Sequence, residues 1–107
     1  MRAKPEAMAA YFIAQYVVED PELYAEYQQG AGPTIPAAGG ELVVFDTAAE
    51  IVEGTPPGLQ TVILKFEDVA AAKAWYASAD YQAVVGKRLE ATRGFAIISQ
   101  SMNLGNQ

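Results

Sequence analysis

The chain of 107 residues contains no cysteine and no histidine. Without thiols there can be no disulfide, thiol nucleophile or thiolate metal site. Without imidazole the commonest general base, the usual haem ligand and most zinc sites are missing too. Positive charge is scarce: seven Lys and Arg stand against thirteen Asp and Glu, a net charge of −6. The basic residues are scattered, and only Lys87 and Arg88 are adjacent. With no basic stripe to offset the repulsion of a phosphate backbone, nucleic-acid binding is not expected. No apolar run approaches the roughly 18 residues of a membrane span. Arg2 and Lys4 near the start are followed by an alternating stretch from Ala9, with no long apolar segment. Neither a membrane span nor a signal peptide is therefore expected, and a cytoplasmic location follows by default.

The chain is rich in apolar residues, at 51%, enough to fold as one small domain with a modest core. The most informative pattern is a near-repeat. Val18-Glu19-Asp20 closes one apolar run and opens a helical pattern, Phe66-Glu67-Asp68 does the same 48 positions later, and the offset aligns Tyr27 with Trp75. Residues 9–18 read as a strand, with Phe12, Ala14, Tyr16 and Val18 on one face and Tyr11, Ile13, Gln15 and Val17 on the other. Asp20 and Pro21 supply an N-cap and a first-turn proline for a helix carrying Leu23, Tyr24 and Tyr27. Gly30, Gly32 and Pro33 are expected to interrupt that helix, with Pro33 starting one more turn that ends at Gly39-Gly40.

Residues 41–46 form a second strand, and Thr47-Ala48-Ala49 is expected to turn it into a short return strand at 50–53, an extra hairpin. After the loop signal of residues 54–58, residues 59–66 form the next strand, with Val62, Leu64 and Phe66 on the face of Tyr16. A helix from Asp68 carries Val69, Ala72, Trp75 and Tyr76. Ser78 is a fresh N-cap for a segment with Tyr81, Val84, Val85 and Leu89 in an amphipathic stripe. Gly94 is expected to end that connection and residues 95–100 to form the last strand. The expected organisation is a flexible tail at 1–8, one domain at 9–100 and a C-terminal tail at 101–107. The fold class is α+β: two strand-helix units, each followed by a further strand, in the split βαββαβ order with a four-stranded antiparallel sheet. Helices can cover only one face of that sheet, and the other carries Ile13, Val17 and Ile63 among Gln15, Thr61 and Lys65. A homodimer joined through the sheet faces is the economical solution.

Ala10-Tyr11-Phe12-Ile13-Ala14, the run from Asp20 to Tyr27, Gly39-Gly40, the Glu53-Gly54 loop and the block from Ala72 to Gln82 followed by Arg88 together resemble the domain-of-unknown-function 1330 family. The Trp75-Tyr76, Ser78 and Tyr81 block with Arg88 is the specific part. The resemblance implies a ferredoxin-like fold and the sheet-to-sheet pairing of the dimeric α/β-barrel superfamily. It implies no activity, because the family has none assigned. Relatives elsewhere in that superfamily include cofactor-free monooxygenases, isomerases and haem enzymes, a likeness of fold alone. Where the family commonly has an arginine after Gly-Gly, this chain has Glu41. A strand-two arginine is absent from residues 42–46, and Thr55 replaces a tryptophan after the Glu-Gly loop. A positive pocket built by those residues does not carry over.

Arg88 falls seven residues after Tyr81, inside the apolar stripe. Either it clamps a carboxylate or enolate with its planar fork, or its stem lies on the core edge while its head reaches water or pairs with Glu67 or Asp68. Tyr24, Tyr27, Trp75, Tyr76 and Tyr81 either line a cleft between helices and sheet that holds a planar small molecule, or pack as core. The candidate ligand pocket is therefore Tyr24, Tyr27, Trp75, Tyr81 and Arg88. No catalytic residue is assigned. Any acid–base chemistry would fall to Asp46, Glu67, Asp68 or a tyrosine, and Glu19, Asp20, Glu67 and Asp68 are explained by helix capping. No carboxylate spacing argues for a metal, and no cofactor is expected. Two functions stay open: a domain that binds or transforms a small organic molecule without metal or haem, and a non-catalytic homodimeric module for a ligand or protein partner.

Overall fold

Two strand-to-helix corners direct the chain in the computed structural model, which describes residues 8–102. After β1 (Ala10–Val18), the Asp20 carboxylate accepts the Leu23 N–H at 3.1 Å as Pro21 opens α1 (Pro21–Ala31). After β3 (Gln60–Phe66), Asp68 accepts the Ala71 N–H at 2.8 Å and opens α3 (Val69–Ala77). Each acid satisfies a first-turn donor that has no partner within its helix, so the repeated motif marks equivalent corners. Ser78 ends α3 and caps α4 (Ala79–Ala91): its hydroxyl donates to the Trp75 carbonyl at 2.7 Å and accepts the Tyr81 N–H at 3.2 Å.

A short helix, α2 (Thr34–Ala37), follows α1 as Pro33 and Gly39-Gly40 predict. With β2 (Glu41–Asp46) and β4 (Thr92–Gln100), the sheet has the order β2-β3-β1-β4, and every neighbouring pair is antiparallel. β3 lies between β1 and β2, the split β-α-β arrangement of a ferredoxin-like α+β fold. Ala10, Phe12, Ala14 and Tyr16 on the inner face of β1 are buried together with Leu64 and Phe66 of β3. Trp75 meets Phe12 edge to face with ring centres 5.1 Å apart and lies 4.2 Å from the Tyr81 ring. Among the described residues no helix covers the other sheet face. There Val44, Ile63, Ile13 and Ile97 stand in register across all four strands, and Gln15 donates to the Thr61 hydroxyl at 3.2 Å.

Three sequence expectations need correction. Residues 47–59 contain no return strand. The β-branched pair Ile51-Val52 carries the strand signal, but its segment is exposed, and the base of the loop is tied by Ala49 N–H to the Leu59 carbonyl and Ala48 N–H to the Asp46 carboxylate. Gly30 does not interrupt α1. A Cβ there would lie 2.6 Å from Val84 Cγ1, so its bareness lets α1 and α4 approach. Gly94 does not end a connection either; β4 starts directly after α4, and Gly94 pairs with Tyr16 inside the ladder. The expected tails fall mostly outside the described residues; Ser101 N–H, just after β4, bonds the Ala9 carbonyl at 2.7 Å.

Gly94 is therefore a site of close backbone approach: a Cβ would sit 2.2 Å from the Gln15 carbonyl oxygen and 2.6 Å from Tyr16 Cα. Backbone cannot yield as a flexible side chain does. Gly94→Ala is expected to cost about 1–3 kcal/mol, read as a lower urea midpoint at unchanged m-value. An unchanged midpoint would show that the β1–β4 pair has room to spare.

Candidate functional site

Tyr24 and Tyr27, three apart on α1, present their rings to the sheet from one helical face. Tyr16 comes up from the inner face of β1 and Tyr81 from the first turn of α4. Their hydroxyls pair across elements: Tyr16 with Tyr24 at 2.8 Å, and Tyr27 with Tyr81 at 2.8 Å. Gln60 of β3 donates from Nε2 to the Tyr24 hydroxyl at 2.8 Å. The rings form a continuous series, with centres 5.8 Å apart for Tyr16–Tyr24, 5.5 Å for Tyr24–Tyr27 and 6.1 Å for Tyr27–Tyr81. Buried phenols need partners for their polar tips, and this pairing supplies them without a carboxylate.

Arg88 is enclosed by these rings. It is only 5% exposed, so its head does not reach water, and its Cζ lies 5.6 Å from the Tyr16 ring centre and 5.9 Å from that of Tyr27. Lys87 pairs with Glu26 and Arg93 with Glu19 at the surface, and Arg88 takes part in neither ion pair. The Asp68 carboxylate is occupied by its helix cap. Nε of Arg88 is buried without a hydrogen bond. Burial alone would lower the guanidinium; the hydroxyl of Tyr81 above all, then those of Tyr27 and Tyr16, outweigh it and leave Arg88 above the ordinary arginine value. It is therefore a fixed cation at any working pH. Burial raises Tyr16, Tyr24 and Tyr27 above the ordinary tyrosine value, and at Tyr24 hydrogen bonds with Tyr16 and Gln60 oppose the rise.

A cleft of about 170 Å³ opens beside this group, between α1–α2 and the edge strand β2. Tyr16, Tyr24 and Tyr27 form one wall; Phe12, Val62 and Leu64 of the sheet form the floor; Ile35, Leu42 and Phe45 reach its mouth. Of the residues picked out by sequence, Tyr24 and Tyr27 line the cleft. Trp75, Tyr81 and Arg88 are brought together behind that wall. Trp75 is core, 1% exposed, with its indole N–H donating to Thr34 Oγ1 at 2.9 Å. Tyr16 and Gln60 went unrecognised. The available signal was a tyrosine at an inward strand position, whose hydroxyl must find a buried partner. A larger and shallower groove, about 680 Å³, lies on the opposite sheet face under the 47–59 loop, against Gln15 and Phe95. Among the described residues no cluster of three or more carboxylates could hold a metal ion, and no helix is long and apolar enough to cross a membrane.

Fold and cleft define a ferredoxin-like α+β domain with a tyrosine-walled cavity between its helices and sheet. The chain belongs to the family described as "Domain of unknown function (DUF1330)", whose model matches residues 9–102. No curated protein matches it. Among solved structures it is similar to the RPA0582 protein of unknown function from Rhodopseudomonas palustris, with a TM-score of 0.74 at 18% identity, covering 94% of this chain and 88% of that one. It is also similar to HapK from Hahella chejuensis, with a TM-score of 0.60 at 16% identity, covering 90% and 95%. A candidate antibiotic biosynthesis monooxygenase from Nitrosomonas europaea gives a TM-score of 0.56 at 10% identity, covering 97% and 96%. At these identities the likeness is one of fold.

The buried polar group can be tested by pH and by substitution. Unfolded tyrosines ionise near pH 10, whereas Tyr16, Tyr24 and Tyr27 resist ionisation in the fold. The unfolded state therefore holds fewer protons above that pH, and stability falls as pH rises, by up to about 1.4 kcal/mol per pH unit for each such tyrosine. Absorbance at 295 nm should show at least these three of the six tyrosines ionising only as the protein unfolds. Arg88→Met tests the missing carboxylate: with no acid left unpaired, the ligand-free variant should keep its urea midpoint or gain about 1 kcal/mol. A loss of about 3–5 kcal/mol would instead reveal a paired structural charge.

Proposed function

We propose that this protein is a homodimeric binding domain that holds a small, single-ring organic molecule in the cleft between α1–α2 and the sheet, without metal or haem. The observation that carries this reading is the cleft itself. Its volume of about 170 Å³ is close to the roughly 150 Å³ of a protein cavity known to take up benzene. Its floor and mouth are apolar, and its tyrosine wall offers hydroxyls at one side, the combination that buries a ring and orients one polar substituent. Tyr16, Tyr24 and Tyr27 are held protonated by burial, so near neutral pH they serve as hydrogen-bonding groups and not as bases. This favours binding over proton abstraction by the cleft wall. The candidate monooxygenase among the structural neighbours is compatible with a small-molecule site, through its fold only. A cytoplasmic site of action belongs to the same proposal and rests on the sequence pattern.

The homodimer rests on the second sheet face. Val44, Ile63, Ile13 and Ile97 make an apolar row across the whole sheet, and Phe95 beside it is 44% exposed. Val52 at the edge of the overhanging loop is 89% exposed. A second copy laid sheet against sheet would bury these groups together.

Thermal melting with a panel of monosubstituted benzenes and phenols tests the cleft. Leu42→Trp, at a half-exposed mouth position, should remove the stabilising shifts while leaving the unliganded melting temperature nearly unchanged. Tyr24→Phe should weaken phenol binding about tenfold, the worth of one hydrogen bond. Shifts that are the same in both variants and wild type would place the ligand elsewhere. For the dimer, sedimentation at low micromolar concentration should give twice the 11.4 kDa chain mass, and Ile97→Glu a folded monomer. A wild-type monomer would sink the assembly.

A further inference from the structure

The protein as a whole is acidic, at −6, yet its most enclosed charge is a cation that joins neither surface ion pair. Arg88 lies behind Tyr16 and Tyr27, and those same two rings form the wall of the cleft. Its Nε has no partner. The hydroxyls offset its burial but carry no full negative charge, so the field of the cation remains for a negative group brought near it. Among the described residues, the polar groups around the cleft wall are neutral or cationic. β1 supplies the Tyr16 hydroxyl, α1 the Tyr24 and Tyr27 hydroxyls, α4 the Tyr81 hydroxyl and Arg88, and β3 the Gln60 amide. Glu26 of α1 is at the surface in its pair with Lys87, and Glu19 in its pair with Arg93. No described carboxylate lines the cleft.

Resting on the binding site proposed above, we infer that the cleft selects the ionised form of its ligand: a single-ring compound bearing a phenolate, enolate or carboxylate oxygen, placed against the Tyr16–Tyr24 hydroxyl pair with Arg88 as the buried countercharge behind the rings. One hydroxyl of the pair donates to the other, the remaining O–H donates to the anionic oxygen, and the guanidinium acts across the thickness of one aromatic ring. It need not touch the ligand. At the effective dielectric of a protein interior, a unit charge at that remove is worth about a tenfold preference for the anion. The neutral form keeps the apolar contacts and loses this attraction. Recognition therefore divides: the sheet and α2 read the ring, and α4 reads the charge.

The probes are 4-nitrophenol, whose phenol and phenolate absorb at different wavelengths, and 4-nitroanisole, a neutral compound of similar shape. With the wild-type chain, bound nitrophenol should titrate about one pH unit below the free compound, and the phenolate should bind about tenfold more tightly than nitroanisole. In Arg88→Met the titration should return to the free value while nitroanisole binding is kept. The wild-type titration stands by itself should that variant fail to fold. Nitrophenol that binds with an unshifted or raised titration overturns anion selection and leaves the cleft reading intact. If neither probe binds in the cleft, as judged by loss of binding in Leu42→Trp, the cleft reading falls and this inference with it.

Discussion

A guanidinium taken out of water needs compensation from its surroundings, and much of this structure is arranged to provide it around Arg88. Three elements each contribute a phenol: β1 through Tyr16, α1 through Tyr27 and α4 through Tyr81. Bringing them within reach requires α1 and α4 to pack closely, which the bare Gly30 against Val84 permits. The same rings run on through Tyr81 into Trp75 and Phe12, so the polar group and the aromatic core form one body. Cation–π attraction and hydroxyl contacts stand where an ion pair would be usual. The charge is thereby held in place without being neutralised, and that residual field gives the neighbouring cleft a sign.

The near-repeat explains why the site lies where it does. Its two corners are structurally equivalent, each with an aspartate capping a helix after an inward-facing strand. The halves diverge after the first helix of each. Beyond α1 the chain makes only the short α2 and then the edge strand β2, leaving the inner face of that edge incompletely covered. Beyond α3 it continues through Ser78 into the long α4, which covers the other half and carries Tyr81 and Arg88. The cavity thus belongs to the first half and the charge to the second. They meet because Tyr16 and Tyr27 have one side toward each.

The two faces of the sheet divide the chemistry. The inner face is covered by helices except at the β2 edge, where the cleft opens, and its polar groups are paired hydroxyls and amides together with Arg88. The outer face is an apolar row crossed by the Gln15–Thr61 hydrogen bond, overhung at one end by the 47–59 loop. Membership of the DUF1330 family and the likeness to RPA0582, HapK and a candidate monooxygenase describe the frame on which these features sit. That frame accommodates many chemistries, so function is argued from the tyrosines, the cleft and Arg88.

Local patterns in the chain were sufficient for the element order, both aspartate corners, the Ser78 break and the inward face of each central strand. These depend on capping, on period-two alternation and on turn chemistry, all of which act over a few residues. They were misleading at Gly30, Gly94 and residues 50–53. A glycine reads locally as a breaker, yet here it marks close approach to Val84 or to the Gln15 backbone, and a β-branched pair forms no strand without a partner edge. Sequence also singled out Arg88 and the helical tyrosines as polar groups on an apolar stripe. It could not show that Tyr16 and Gln60 join them, that Trp75 packs against Tyr81 as core and does not line the cleft, or that the guanidinium sits among hydroxyls and not beside an acid. Those outcomes belong to tertiary structure, because they depend on contacts between residues up to 72 positions apart, from Tyr16 to Arg88, whose distances only the packed fold sets.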